Sequence, residues 1–288
     1  KLLSDIRERR AEPNIERLRR ALSRSGVPDR VPFMELFADG EVMAAVLGKP
    51  LDYFYGELGS RGEWEGRMLS LMEFYAAMGY DYVRDDTRDY EAMRRADQEE
   101  REQQLALGEF GSRAYMYRTS DTSPDLKREE RPWANEHTGV IANWDDFKGY
   151  RWEDPEAIAQ EGNAGLEWVC DHAPHNMAIV SGAGTVLEPV MWLMGIENFY
   201  LSLHKQPDLV DAMFRKVGEL SIARFQLAAR TSTKILALWG SDDWGYRDKT
   251  MISPAMMRRW VFPVHKEQAR IAHGRGSLYL LHSCGNLG

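Results

Sequence analysis

The sequence predicts an α/β fold, a single (β/α)8 barrel domain over residues 1–288, and three observations predict it. From Pro155 onward apolar runs alternate with helical patterns: MAIV, ILALW and LYLL are separated by long amphipathic stretches. These runs are continuously apolar, as in parallel strands covered on both faces. The polar residues cluster just after the apolar part of each run, which in a βα barrel is the face where active sites lie. A chain of 288 residues suits one such barrel.

Taken in order, residues 1–26 form an amphipathic N-terminal helix closed at Gly26. VPFMELF (Val31–Phe37) is a short apolar strand with Glu35 embedded in it. A helix follows from Glu41 to Leu47, stopped by Gly48. Met68, Leu71, Met72 and Tyr75 recur at helical spacing within Glu65–Met78, and Tyr80–Asp86 alternates like a strand. Glu91–Leu107 is charged and helical, with a solvated face. Residues 108–153 form a hairpin or flap excursion, in which Arg113–Arg118 pairs with Gly139–Trp144 across the polar segment 119–137. Beyond it, Ala157–His172 is a helix, Met177–Gly184 a strand, and Val186–Leu193 a short helix. Pro207–Arg230 is a long helix, and Lys234–Gly245 a strand running into an acidic loop. Ser253-Pro254 has the cap-then-proline start of a helix reaching His273, and the last strand ends in His282-Ser283-Cys284.

Composition narrows the function. A net charge of −8 disfavours nucleic acid as a partner. No stretch approaches the roughly 20 apolar residues of a membrane helix, and the N-terminal segment lacks a signal peptide's apolar core. Two cysteines, Cys170 and Cys284, cannot make a disulfide framework, which places the chain in a reducing cytoplasm.

Several strand ends offer chemistry. Glu35 and Asp39, Arg84 to Asp86, Ser181 to Thr185, Asp242-Asp243, and His282 with Cys284 would open onto one face of a barrel. Residues two apart on a strand share a face, so His282 and Cys284 project together as half of a zinc site. A buried cysteine beside a hydrogen-bonded histidine is the alternative. The third ligand would be Glu35, Asp243 or a residue beyond Gly288. Cys170 lies in a helix pattern and reads as core. Adjacent Asp242 and Asp243 point to opposite faces, so one enters the pocket and serves substrate or proton transfer; a loop or helix-cap aspartate fits equally well. Gly182-Ala183-Gly184 lacks the third glycine of a dinucleotide fingerprint and makes room for a ligand or a tight turn. No P-loop, HExxH or GxSxG motif is present.

The stretch WGSDDWGYRDKTMISPAMMRRWVFPVHKEQARIAHGRGSLYLLHSCGN resembles the uroporphyrinogen decarboxylase superfamily. Only Trp239–Asn286 is specific, although a weaker likeness covers most of the chain. The resemblance implies a (β/α)8 barrel. True decarboxylases of that superfamily carry an arginine-rich segment near the N-terminus that grips tetrapyrrole carboxylates. Here VPFMELFADG stands instead, and Glu35 would repel a polyanion. The cobalamin-dependent methyltransferase branch binds zinc through an H-x-C motif and a distant second cysteine, and His282 and Cys284 match the first two ligands. The later cysteine and strands have no counterpart before Gly288, so a C-terminal segment is expected to be missing from this chain.

The resemblance thus implies a zinc-dependent methyltransferase that moves a methyl group between a partner corrinoid protein and a thiol or folate-like acceptor. Its cofactors would be zinc and a methyl-corrinoid presented by that partner, and it would form a homodimer. Glu35 and Asp243 would be pocket carboxylates, and Gly182, Gly184 and Asp242 would face the cofactor. The alternatives are a decarboxylase-like carboxy-lyase acting on another anionic substrate, and a non-catalytic corrinoid- or tetrapyrrole-binding protein.

Overall fold

The computed structural model describes residues 12–35, 38–50, 52–55, 58–85, 116–119, 131–134 and 139–287. Helix α1 (Ile15–Ser23) begins where the Asn14 side chain accepts the amides of Glu16 and Arg17. It therefore starts later than the expected residues 1–26, of which 1–11 lie outside the described residues. The expected strand at Val31–Phe37 is not formed over residues 31–35. Pro32 has no amide to give a ladder, and the backbone of Glu35 both donates to and accepts from the Tyr82 hydroxyl. Then come α2 (Gly40–Leu47), α3 (Asp52–Tyr55), and α4 (Arg61–Ala77), which Ser60 caps.

Strand β1 (Tyr82–Asp85) follows. The helix expected at Glu91–Leu107 lies outside the described residues. Strands β2 (Met116–Thr119) and β3 (Arg131–Ala134) pair antiparallel. This replaces the expected pairing with Gly139–Trp144, which goes to other tasks. Ile141 is buried and donates its amide to the Leu193 carbonyl, and Asn143 caps α5 (Trp144–Gly149). The single helix expected at Ala157–His172 is two, α6 (Pro155–Gln160) and α7 (Ala164–His172), because Asn163 caps a fresh start. Strand β4 (Ala178–Gly184) leads to α8 (Leu187–Met194), α9 (Ile196–Lys205) and α10 (Pro207–Thr231). Strand β5 (Ile235–Ser241) leads to the short α11 (Pro254–Met256), a π-helical turn at Met257–Val261, and α12 (Phe262–Gly274). Pro263 lacks the amide that a regular turn would use there, and the wider turn accommodates it. Strand β6 (Leu278–His282) comes last.

β1, β4, β5 and β6 form one parallel sheet in that order. Helix α4 packs on β1, α10 on β4 and β5, and α12 on β5 and β6. Ile179, Ala237, Leu238, Phe225 and Ala272 are among the buried residues at the centre of this sandwich. Gly218 in α10 lets α12 approach closely, since a Cβ there would stand 3.0 Å from Val264 Cγ2. One consequence matters most: because the strands are parallel, their carboxyl ends share one edge. The register sets Ser241 beside His282, and the loops after β4, β5 and β6 meet there.

Candidate metal centre

Two loops build the site, and backbone contacts hold them together. The Asp242 amide donates to the His282 carbonyl (3.1 Å), and the Asn286 amide to the Tyr246 carbonyl (2.9 Å). Trp244 donates its amide to Ser283 Oγ (2.8 Å), and Cys284 its amide to Asp243 Oδ1 (2.8 Å). The approach needs two glycines. A Cβ on Gly285, whose φ is +80°, would fall 2.2 Å from the Gly245 carbonyl carbon, and one on Gly245 would meet Asn286 O at 2.8 Å.

Clamped in this way, Asp243, His282 and Cys284 each offer one ligand atom, all within 4.8 Å of one another. Cys284 Sγ lies 3.4 Å from His282 Nε2, which lies 3.9 Å from Asp243 Oδ1. A thiol, an imidazole and a carboxylate are the donor types of a three-ligand zinc site, and tetrahedral ligands at zinc's bond lengths stand about 3.3–3.6 Å apart. The donor types therefore fit zinc; the thiol–imidazole pair stands at that spacing, and the carboxylate, 3.9 Å from the imidazole, stands slightly wider. Of the third ligands considered from sequence, Asp243 is in this group and Glu35 is not. Glu35 is exposed, with its backbone tied to Tyr82.

Asp242 turns the other way. It is fully buried. Its Oδ1 accepts Thr185 Oγ1 (3.2 Å) and the Glu188 amide (3.0 Å); its Oδ2 accepts the amides of Val186 (3.2 Å) and Leu187 (2.9 Å). Helix α8 thus takes its cap from another loop, and the carboxylate sits at the positive end of the helix. His265 Nε2 adds a fifth contact to Asp242 at 2.9 Å. Gly182 lies opposite Trp239 in the sheet. Gly184 faces protein, since a Cβ there would come 2.5 Å from Gln268 Oε1.

Glu188 completes the site, and nothing in the sequence marks it, because an acidic residue in a helix's first turn is ordinary. Its Oε2 accepts the Asp243 amide at 3.2 Å. Burial, then the negative charges of Asp243 and Asp242, push its carboxyl up to about 7. Burial and the neighbouring Asp243 likewise push the Cys284 thiol up. The edge is therefore electronegative, crowded with groups that a cation would relieve.

No protein-family model matches the chain, and no curated protein does. Among solved structures it is similar to a methyltransferase from Methanosarcina mazei. The match covers 96% of this chain and 71% of that one, with a TM-score of 0.53 and 16% identity. A likeness at that identity establishes the α/β fold alone, and no helix among the described residues is long and apolar enough to cross a membrane.

Proposed function

We propose that the chain is a zinc-dependent methyltransferase whose metal is held by Asp243, His282 and Cys284. The observation that carries this is the gathering of those three donor atoms on the edge where the parallel strands end. The sequential strand order, with no reversal, supports reading the sheet as an arc of a (β/α)8 barrel, whose sites lie on that edge. The similar fold of a protein described as a methyltransferase supports the reaction class. The corrinoid donor on a partner protein, and the thiol or folate-like acceptor, rest on the resemblance of Trp239–Asn286.

Bound zinc would supply Lewis acidity, which lowers the pKa of an acceptor thiol. The protein's own part is position and proton handling. The loop clamp orients the imidazole, thiol and carboxylate. Glu188, whose Oε2 accepts the Asp243 amide, stands beside the ligands as the carboxylate placed to take the proton that the acceptor gives up.

Metal analysis of protein purified without added zinc tests the reading. About one equivalent is expected, and less than about a tenth in His282→Ala. Thiol methylation from methylcobalamin should stop on adding a chelator. Wild-type protein with less than about a tenth of an equivalent, or turnover indifferent to chelators, as a metal-free carboxy-lyase would show, overturns it.

A further inference from the structure

A chain of polar groups runs from Asp242, next to the candidate ligand Asp243, into the core. Asp242 Oδ2 accepts from His265 Nε2 at 2.9 Å, and His265 Nδ1 lies 2.7 Å from the Tyr279 hydroxyl. Tyr279 donates to Gln268 Oε1 at 3.0 Å, and Gln268 Nε2 donates to Ser221 Oγ at 3.0 Å. Asp242 and Gln268 are fully buried, and His265 and Ser221 nearly so. Two strand glycines make room for it. A Cβ on Gly240 would stand 2.4 Å from the Tyr279 hydroxyl, and one on Gly184 2.5 Å from Gln268 Oε1. Glycine weakens a strand interior, so its presence at both positions marks the room as needed.

We propose that His265 is a positioning residue for the metal group, held by Tyr279 and Gln268 and acting on Asp243 through its two neighbours. This rests on the metal reading above. His265 grips Asp242 by hydrogen bond and meets the Trp244 ring edge-on, with centroids 5.1 Å apart. Asp243 lies between those two residues, in a loop with no ladder to fix it. Asp242 is also the hub of the site. Its carboxylate anchors the Glu188 amide, and its own amide holds the His282 carbonyl. Loss of the imidazole would remove one of the five contacts that set the Asp242 carboxylate, whose own contacts reach Glu188 and, through its amide, His282. Metal ligands need such support, because a carboxylate free to swing binds poorly.

The test measures zinc affinity by competition with a chromophoric chelator, and the absorption spectrum of the cobalt(II)-loaded protein, on folded variants. His265→Leu should weaken zinc about 10–100-fold and alter the cobalt bands. His265→Gln keeps a donor near the Nε2 position and should restore most of the affinity. Tyr279→Phe removes one oxygen and should fall between them; it carries the test if the leucine variant does not fold. If Tyr279→Phe and every folded His265 variant bind zinc as the wild type does, with the same cobalt spectrum, the network is structural only and the proposal fails. A wild-type protein that binds no zinc overturns the metal reading, and this proposal with it.

Discussion

At the edge where the strands begin, Asp81 is fully buried just before β1, and its carboxylate meets the guanidinium groups of Arg17 and Arg30 and the Asn14 amide. Arg17 reaches on to Asp29 (2.6 and 2.9 Å), whose carboxyl it holds down at about 2. At the edge where the strands finish, Asp242, Asp243 and Glu188 crowd together, with His265 beside Asp242 and His282 beside Asp243. Among these described residues, negative charge is matched at the first edge and in excess at the second. The first arrangement ties the N-terminal helix to the start of β1. The second is what the proposed cation would neutralise, and burial with the charges of Asp243 and Asp242 raises the Glu188 carboxyl there.

The largest effect expected is at the matched edge. Arg17→Ala leaves a buried carboxylate short of its main partner and should cost about 3–5 kcal/mol in denaturant unfolding. The folded fraction should keep its zinc stoichiometry. Loss of zinc without loss of stability would show that the two edges do not divide labour in this way. Gly184→Ala comes next. Its new methyl group would drive the buried Gln268 off Tyr279, and overpacking of this kind costs about 1–3 kcal/mol.

The layout of strand ends was legible because continuous apolar runs mark buried parallel strands, and a strand's pleat sends Asp242 and Asp243 to opposite sides. The sequence pattern of the first run was misleading for a local reason. VPFMELF has a strand's composition, but Pro32 and the Tyr82 hydroxyl take its backbone out of a ladder over the described residues. The break between α6 and α7 hides in an Asn163 cap inside an otherwise helical pattern. Glu188 and His265 were not legible at all. Each gains its role from a partner more than 20 residues away, Asp243 for the glutamate and Asp242 for the histidine. Nothing in the local spacing of either residue marks it.

Glu188→Gln sharpens the charge comparison with a smaller effect. A carboxyl raised from 4.5 to about 7 is still protonated in the folded protein where the unfolded chain has lost the proton. The folded state therefore binds more protons across that window. Stability of the metal-free protein should fall as pH rises from about 4.5 through about 7, and then level off. Glutamine imitates the protonated form throughout. The variant should lose that part of the fall and gain on the wild type most at pH 8, read from unfolding curves in chelator. An unchanged pH profile would mean that Glu188 is not under the stress its neighbours imply.

The smallest expected change in stability is also the sharpest contrast with Arg17. Cys284 is exposed, and its thiol supports no part of the core. Cys284→Ser, measured in chelator, should therefore stay within about 0.5 kcal/mol of the wild type. On the proposed metal reading, its effect falls on zinc binding. Partial desolvation and Asp243 raise the thiol above its usual range, so zinc, where it binds as proposed, would displace that proton. Wild-type zinc affinity should therefore climb with pH below the thiol's own titration. Serine has no such proton to release, so the slope of log affinity against pH should drop by about one unit as well as the affinity itself falling. An affinity loss with the slope intact would place the thiol outside the ligand set and leave Asp243 and His282 as the remaining members of the group.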